Sequence, residues 1–354
     1  MKTKIFVLIL VSLVSSLLLG GCATGLTPSS WPGVVTDGKT AYIASAAHVY
    51  AVSLEDGSEV WRFPEKADAK KSFFAAPVLT PDGQLIVGGY DHILYSLNPQ
   101  DGQVNWQFEA ARDRWIGSVL VANDLIYAPN ADYNLYVLNL KGVFQWKFEA
   151  RQALWAAPVT DGQRIYLSSL DHTLYALEPH ASKIIWKKSL DGAILNPPVL
   201  GGDGLLYVST FGGDIFALDT ANGGQHWKFA AGNLVWSAMA LNAGKLYFGD
   251  ALGNFYALNV STGVKDWSLQ PDGPILGTPL VVGDILVFGT ESGELFAVDT
   301  HGNNVWTQAI GGKLYGPPVA GGDLILVASV EGQSLLVALD QTGTQKWAFT
   351  PVKK

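Results

Sequence analysis

One cysteine, Cys22, is all the chain carries. No intrachain disulfide can brace it, and no cysteine pair can hold a metal or sit beside a redox group. Charge is scarce too: 15% of the residues are charged against 48% hydrophobic, which excludes disorder driven by self-repelling charge. The charge that is present leans acidic. Twenty-three basic and 31 acidic side chains give a net −8 over 354 residues, so nucleic acid finds no electrostatic footing. After residue 22 no segment shows a convincing helical period. Common catalytic signatures are missing as well, with no Gly-x-Ser-x-Gly elbow, phosphate loop or His-Glu-x-x-His motif.

What is present begins with a leader. Lys2 and Lys4 precede an apolar run from Ile5 to Leu19, followed by Gly20, Gly21 and Cys22. A basic start, a short apolar core and small residues before a cleavage point describe a secretory signal peptide. The run is marginal for spanning about 30 Å of hydrocarbon. With cysteine directly after the cut, the segment resembles the bacterial lipoprotein signal, and that resemblance implies lipidation of the Cys22 thiol. The expected organisation is a signal peptide over 1–21, a lipidated tether over 22–30 and a folded body over 31–354. Removing Lys2 and Lys4 leaves 21 basic against 31 acidic residues, a net charge of −10. Such a surface does not favour anionic lipid, so the lipid chains must do the anchoring. Ala23, where an aspartate would resemble the inner-membrane retention signal, points to the outer membrane of a cell that has two.

Eight tryptophans then recur at near-constant intervals: Trp61, Trp106, Trp146, Trp186, Trp227, Trp267, Trp306 and Trp347, with steps of 45, 40, 40, 41, 40, 39 and 41 residues. A period near forty means one supersecondary unit copied around an array. Four residues before each tryptophan stands a turn residue, Gly57, Gly102, Gly142, Ser182, Gly223, Gly263, Gly302 and Gly343. Upstream lie alternating runs such as Leu174-Tyr175-Ala176-Leu177 and β-rich runs such as Ile285-Leu286-Val287-Phe288. Each unit reads as four short strands of period two separated by Gly/Asp turns. Eight such units describe an all-β, eight-bladed propeller of four-stranded antiparallel blades. The strands are lettered A to D from the axis outward, with the tryptophan on D. Pro77, Pro158, Pro198, Pro279 and Pro318 fall in A, and a proline, unable to donate to a ladder, suits that inner edge. Between Cys22 and Trp31 there is too little chain for a long N-terminal strand, so blades one and eight are expected to meet by packing, without an exchanged strand. The regular tryptophans are assigned to docking one blade on the next, each burying on the order of 150–250 Å².

The segments Ala297-Val298-Asp299 through Gly302 and Trp306, and Ala338-Leu339-Asp340 through Gly343 and Trp347, resemble the PQQ-like propeller repeat, and the likeness covers the whole mature chain. Copies are imperfect where Ser182 replaces the glycine and where Ser53, Asn98 and Glu178 replace the aspartate. That family contains quinoprotein alcohol dehydrogenases and non-enzymatic relatives. The dehydrogenases are alike in a vicinal cysteine pair, a calcium held by Glu, Asn and Asp, and long insertions; this chain has neither the cysteines nor the insertions. A small, exported, lipid-anchored ring most resembles the lipoprotein family of the outer-membrane β-barrel assembly machinery. The resemblance implies a monomeric, non-enzymatic scaffold without cofactor or metal. It would be held at the periplasmic face of the outer membrane and bind a protein partner, the periplasmic repeat region of the barrel insertase. Two alternatives stay open: a quinone-dependent oxidoreductase, and a sensor or binder of a small molecule or glycan.

A binding surface is expected where large residues recur nine positions after most blade tryptophans. Trp115, Trp155, Trp236 and Tyr315 share that register with Leu195 and Leu276, and Trp31 and Phe74 fill the equivalent places in blades one and two. These positions should ring one mouth of the channel, either as a binding funnel or as packing of the channel neck. The connection from Pro64 to Phe73 is longer than its counterparts and carries Glu65, Lys66, Asp68, Lys70 and Lys71, the make-up of a solvated loop or a recognition element. His48, His92 and His172 fall in one turn of three separate blades, and Asp91 and Asp171 accompany two of them as turn residues. A turn role is preferred over metal binding.

Overall fold

The computed structural model describes residues 31–73 and 75–352; the expected signal peptide over 1–21, the expected tether over 22–30 with Cys22, and Phe74 lie outside the described residues. Among the described residues the strands form eight separate antiparallel sheets, each of four consecutive strands in order. Blade one is typical: A is Gly33–Thr36, B is Thr40–Ser45, C is His48–Ser53 and D is Glu59–Phe63. Strands B and C are apolar on both faces because each blade is covered by a neighbour on either side, and they are the buried layer of the ring. Strand D alternates instead, with one residue set in solvent.

The core is therefore distributed between blades. Each apolar cluster draws on two adjacent blades, and the one at the seam joins Val34, Ile43 and Val52 of blade one to Leu326, Leu336 and Phe349 of blade eight. No strand is exchanged across that seam among the described residues, since Val319–Gly321 and its three successors form their own sheet. Blades one and eight meet by packing, as expected.

Two details depart from the sequence reading. Strand A is only two to four residues long, and Pro77, Pro158, Pro198, Pro279 and Pro318 each stand immediately before it. The prolines thus set the entry into the inner strand, a position where a missing N–H leaves no gap in the ladder. A bulge also recurs in every blade where C pairs with D. In blade six the partners run Ala257↔Trp267 and then Leu258↔Lys265, leaving Asp266 unpaired. The extra residue turns the strand locally and re-aims the indole. Opposite each tryptophan sits a small residue, alanine in six blades, Ser96 in blade two and Val137 in blade three.

Candidate functional site

Seven of the eight blade indoles lie on the next blade in the same way. Trp61 donates through Nε1 to the Pro99 carbonyl at 2.9 Å, Trp186 to Thr220 at 2.9 Å, Trp227 to Val260 at 2.7 Å and Trp267 to Thr300 at 3.0 Å. Trp106 and Trp306 follow the pattern with Leu140 and Gln341. Trp347 closes the ring by donating to Leu54 of blade one at 3.0 Å. Under each of these rings lies the C–D turn glycine of the next blade. Gly57 has φ +75°, and a Cβ there would fall 2.6 Å from the Trp347 ring. Trp146 is the exception. The corresponding turn of the next blade carries Ser182 in place of glycine, and its Pro179 carbonyl accepts from Tyr127 at 2.7 Å.

The concave site is the mouth on the face that holds the D–A connections and B–C turns. It encloses about 410 Å³ and is lined by Trp31, Trp155, Trp236 and Tyr315, with Ile116, Leu195 and Leu276 in the same register. Trp31 packs between Trp236, at 5.3 Å between centroids, and Tyr315 at 5.4 Å. Phe211, from a B–C turn, meets Trp236 edge-on at 5.3 Å. Beneath this cup the inner strands converge. A Cβ at Gly117 would stand 2.5 Å from the Trp155 carbonyl oxygen, and one at Gly277 or Gly316 would meet the next blade's backbone at 2.5 and 2.7 Å. Small residues are therefore required just below the aromatic tier, and Asn196 bridges the neck by donating to Ser209 and Ser237.

The cup's polarity sits at its edge. The Tyr315 hydroxyl donates to Glu291 at 2.9 Å; burial first, and then that carboxylate, pushes the phenol above its ordinary value. Burial likewise raises Tyr90, whose ring lies 5.2 Å from the Arg114 guanidinium, a cation–π contact at a half-exposed site. Inside, Trp155 keeps a buried Nε1 with no hydrogen-bond partner. A site with apolar walls and a cation at the rim can hold an apolar or aromatic group.

The structure corrects one member of the predicted ring. Trp115 is fully buried between blades two and three and donates to the His92 carbonyl at 3.0 Å; Ile116 takes the mouth position in its place. The cause is one additional residue in the connection after Trp106, which puts the mouth residue ten positions on rather than nine. Trp31, Trp155, Trp236 and Tyr315 come together, while Phe74 lies outside the described residues. The histidines do not converge. His92 and His172 occupy left-handed turn positions with φ of 69° and 68°, whereas His48 starts a strand and sits 2.7 Å from the Pro64 carbonyl. In the long connection Glu65, Lys66 and Lys70 are exposed, and Lys71 lies over the rings of Phe63 and Tyr95. Sequence reasoning missed Tyr90 and Arg114, whose only signal was their place in turns flanking the mouth.

A quinone–calcium centre does not fit these residues. Glu291 is engaged by Tyr315, the mouth offers no thiol, and among the described residues no three His, Cys, Asp or Glu side chains are grouped as metal ligands.

A family model described as outer membrane protein assembly factor BamB matches residues 45–157, 171–313 and 274–353. A relative of that description from Moranella endobia (strain PCIT) is 24% identical over 300 residues, covering 78% of this chain and 74% of its own. Among solved structures, BamB from Moraxella catarrhalis superposes with a TM-score of 0.72 at 16% identity, covering 87% of this chain and 94% of that one. A europium-containing methanol dehydrogenase superposes with a TM-score of 0.73 at 15% identity, covering 88% and 84%. At such identities the structural likenesses establish the fold alone.

Proposed function

The chain belongs to the family of the outer membrane protein assembly factor BamB, and from that membership we propose that it is an exported, lipid-anchored scaffold in outer-membrane protein assembly. The observation that carries this reading is a family match running nearly the length of a ring whose blades hold little beyond four strands and their turns. A dehydrogenase on this fold needs residues that break the repeat to bind and orient its reactants, and here the mouth is built from the repeat itself. In this reading the Cys22 thiol carries the lipid, the ring stands at the periplasmic face of the outer membrane, and its partner is the periplasmic repeat region of the barrel insertase. Crosslinking in the native envelope tests it. Recovery with a barrel-assembly complex, and release of Cys22→Ala from the membrane fraction, are expected. Quinone- and calcium-dependent dye reduction with an alcohol, or a ring recovered without any such complex, would overturn it.

A second reading concerns the mouth, where three indoles and two phenols converge. That tier suits the capture of an apolar side chain presented by an extended polypeptide. The Trp155→Ala/Trp236→Ala double variant tests it, since both rings are only partly buried. Weakened crosslinking of the partner, with the unfolding midpoint kept near the parent's, is expected; undiminished crosslinking rejects this role.

A further inference from the structure

The ring is joined to its tether at the mouth. Trp31 sits within the cup, and strand A of blade one begins two residues later and runs from the mouth towards the opposite face. Resting on the reading that Cys22 carries the lipid, we propose that the mouth face is turned to the bilayer and that the face bearing the A–B and C–D turns is left free in the periplasm.

The constraint is covalent. Nine peptide links separate Cys22 from Trp31, and fully extended they span at most about 32 Å. A compact body of this size has a radius of about 25 Å, and strands of five or six residues with their turns make the ring about 30 Å deep. With the mouth turned away, the tether would have to cross from near the axis to the rim and then descend the side, about 55 Å. It falls short by about 20 Å. An edge-on ring is within reach; an inverted one is not.

Exposed apolar residues stand on both faces, Val143 and Val264 in C–D turns among them, so the orientation rests on the reach of the tether. Beside the mouth, Leu252 in a B–C turn is 63% exposed and Leu234 in a D–A connection is 45% exposed. The two are tied together by the bond from the Ala251 amide to the Leu234 carbonyl at 2.9 Å. This pair forms an apolar step on the face that the tether draws towards the headgroups, where partly buried leucines are stabilised. In the proposed orientation a group entering the cup arrives from the membrane side.

Leu252 and Thr262 lie at opposite ends of strand C of blade six, Phe255–Asn259, and both are exposed. The full chain, with Leu252→Cys or Thr262→Cys labelled by a maleimide donor, is reconstituted in phosphatidylethanolamine–phosphatidylglycerol vesicles carrying a headgroup acceptor. Energy transfer at least about twofold stronger from position 252 is expected for a tether this short. Insertion of a long Gly/Ser segment after Ala23 should abolish the difference. Equal or reversed transfer at the native length, or a difference that survives the insertion, would overturn the proposal. Failure of the lipid reading gives another signature: Cys22 itself takes the label and the protein stays off the vesicles.

Discussion

Gly57→Ala, at the seam between the first and last blades, isolates the indole contact from the backbone requirement. Gly57 has φ +75°, so any side chain carries left-handed strain there. That term is about 1–2 kcal/mol, offset by about 0.4–1 kcal/mol from a stiffer unfolded chain. The new Cβ would also stand 2.6 Å from the Trp347 ring, and overpacking of this kind costs about 1–3 kcal/mol. Gly83→Ala is the control, since φ is +81° with nothing within 4 Å. Gly57→Ala should cost about 2–4 kcal/mol and Gly83→Ala about 1 kcal/mol or less. With an unfolding entropy near 0.7 kcal/mol/K for a body this long, the difference amounts to about 3 °C in midpoint. The double variant Gly57→Ala/Trp347→Ala completes a cycle read by thermal or urea unfolding. Removing the indole should erase the overpacking share, a coupling of about 1–3 kcal/mol. Equal losses at the two glycines, or additive losses in the cycle, would refute the claim that the indole seats on Gly57.

Three further outcomes follow from the geometry. Trp115→Ala should lower stability by about 3–5 kcal/mol, as for a fully buried large side chain, whereas the alanine variants of Trp155 and Trp236 leave the melting curve nearly in place; differential scanning calorimetry separates them. Burial raises the phenols of Tyr42, Tyr127, Tyr175 and Tyr256 to about 12, with Asp37, Asp171 and Asp250 adding to the effect at Tyr42, Tyr175 and Tyr256. A raised folded-state value favours the neutral phenol, so this stability is fully present below pH about 10 and is lost as the pH rises towards about 12. Absorbance titration near 295 nm should show these four rings ionising only with unfolding; free titration near pH 10 would contradict it. Arg62 links Glu59, through a two-pronged contact, to the Val352 carbonyl at 3.0 Å, so Arg62→Ala should speed proteolytic trimming of the last residues without changing the ring's sheet content by circular dichroism.

The sequence made the ring legible because its strongest signal is a repeated indole at nearly fixed spacing, and repetition averages out local ambiguity. Blade number, strand order and the packed seam could all be read from that period. Register inside the connections was not as secure. Trp115 and Trp155 both lie nine residues after a blade tryptophan, yet one inserted residue sends the first into the core and leaves Ile116 at the mouth. Spacing alone cannot reveal an insertion whose flanks are both large and apolar. The bulge before every tryptophan was equally hidden, because its residue varies from Val60 and Val305 to Asn105, Asp266 and Lys346. Tyr90 and Arg114 belong to the mouth through three-dimensional proximity that no period encodes.

The seam contact differs from its siblings in one respect that bears on how the molecule is made. Trp347 reaches a carbonyl 293 residues away, while Trp61, Trp106, Trp186, Trp227, Trp267 and Trp306 reach partners 33 to 38 residues ahead. Seven joins can form in succession as the chain folds from its N-terminal end, each between neighbouring wedges over a short stretch. The eighth join must wait for the final blade. Until then an open crescent exposes the apolar flanks of its first and last wedges, and that interval is when chaperone protection matters most to its biogenesis.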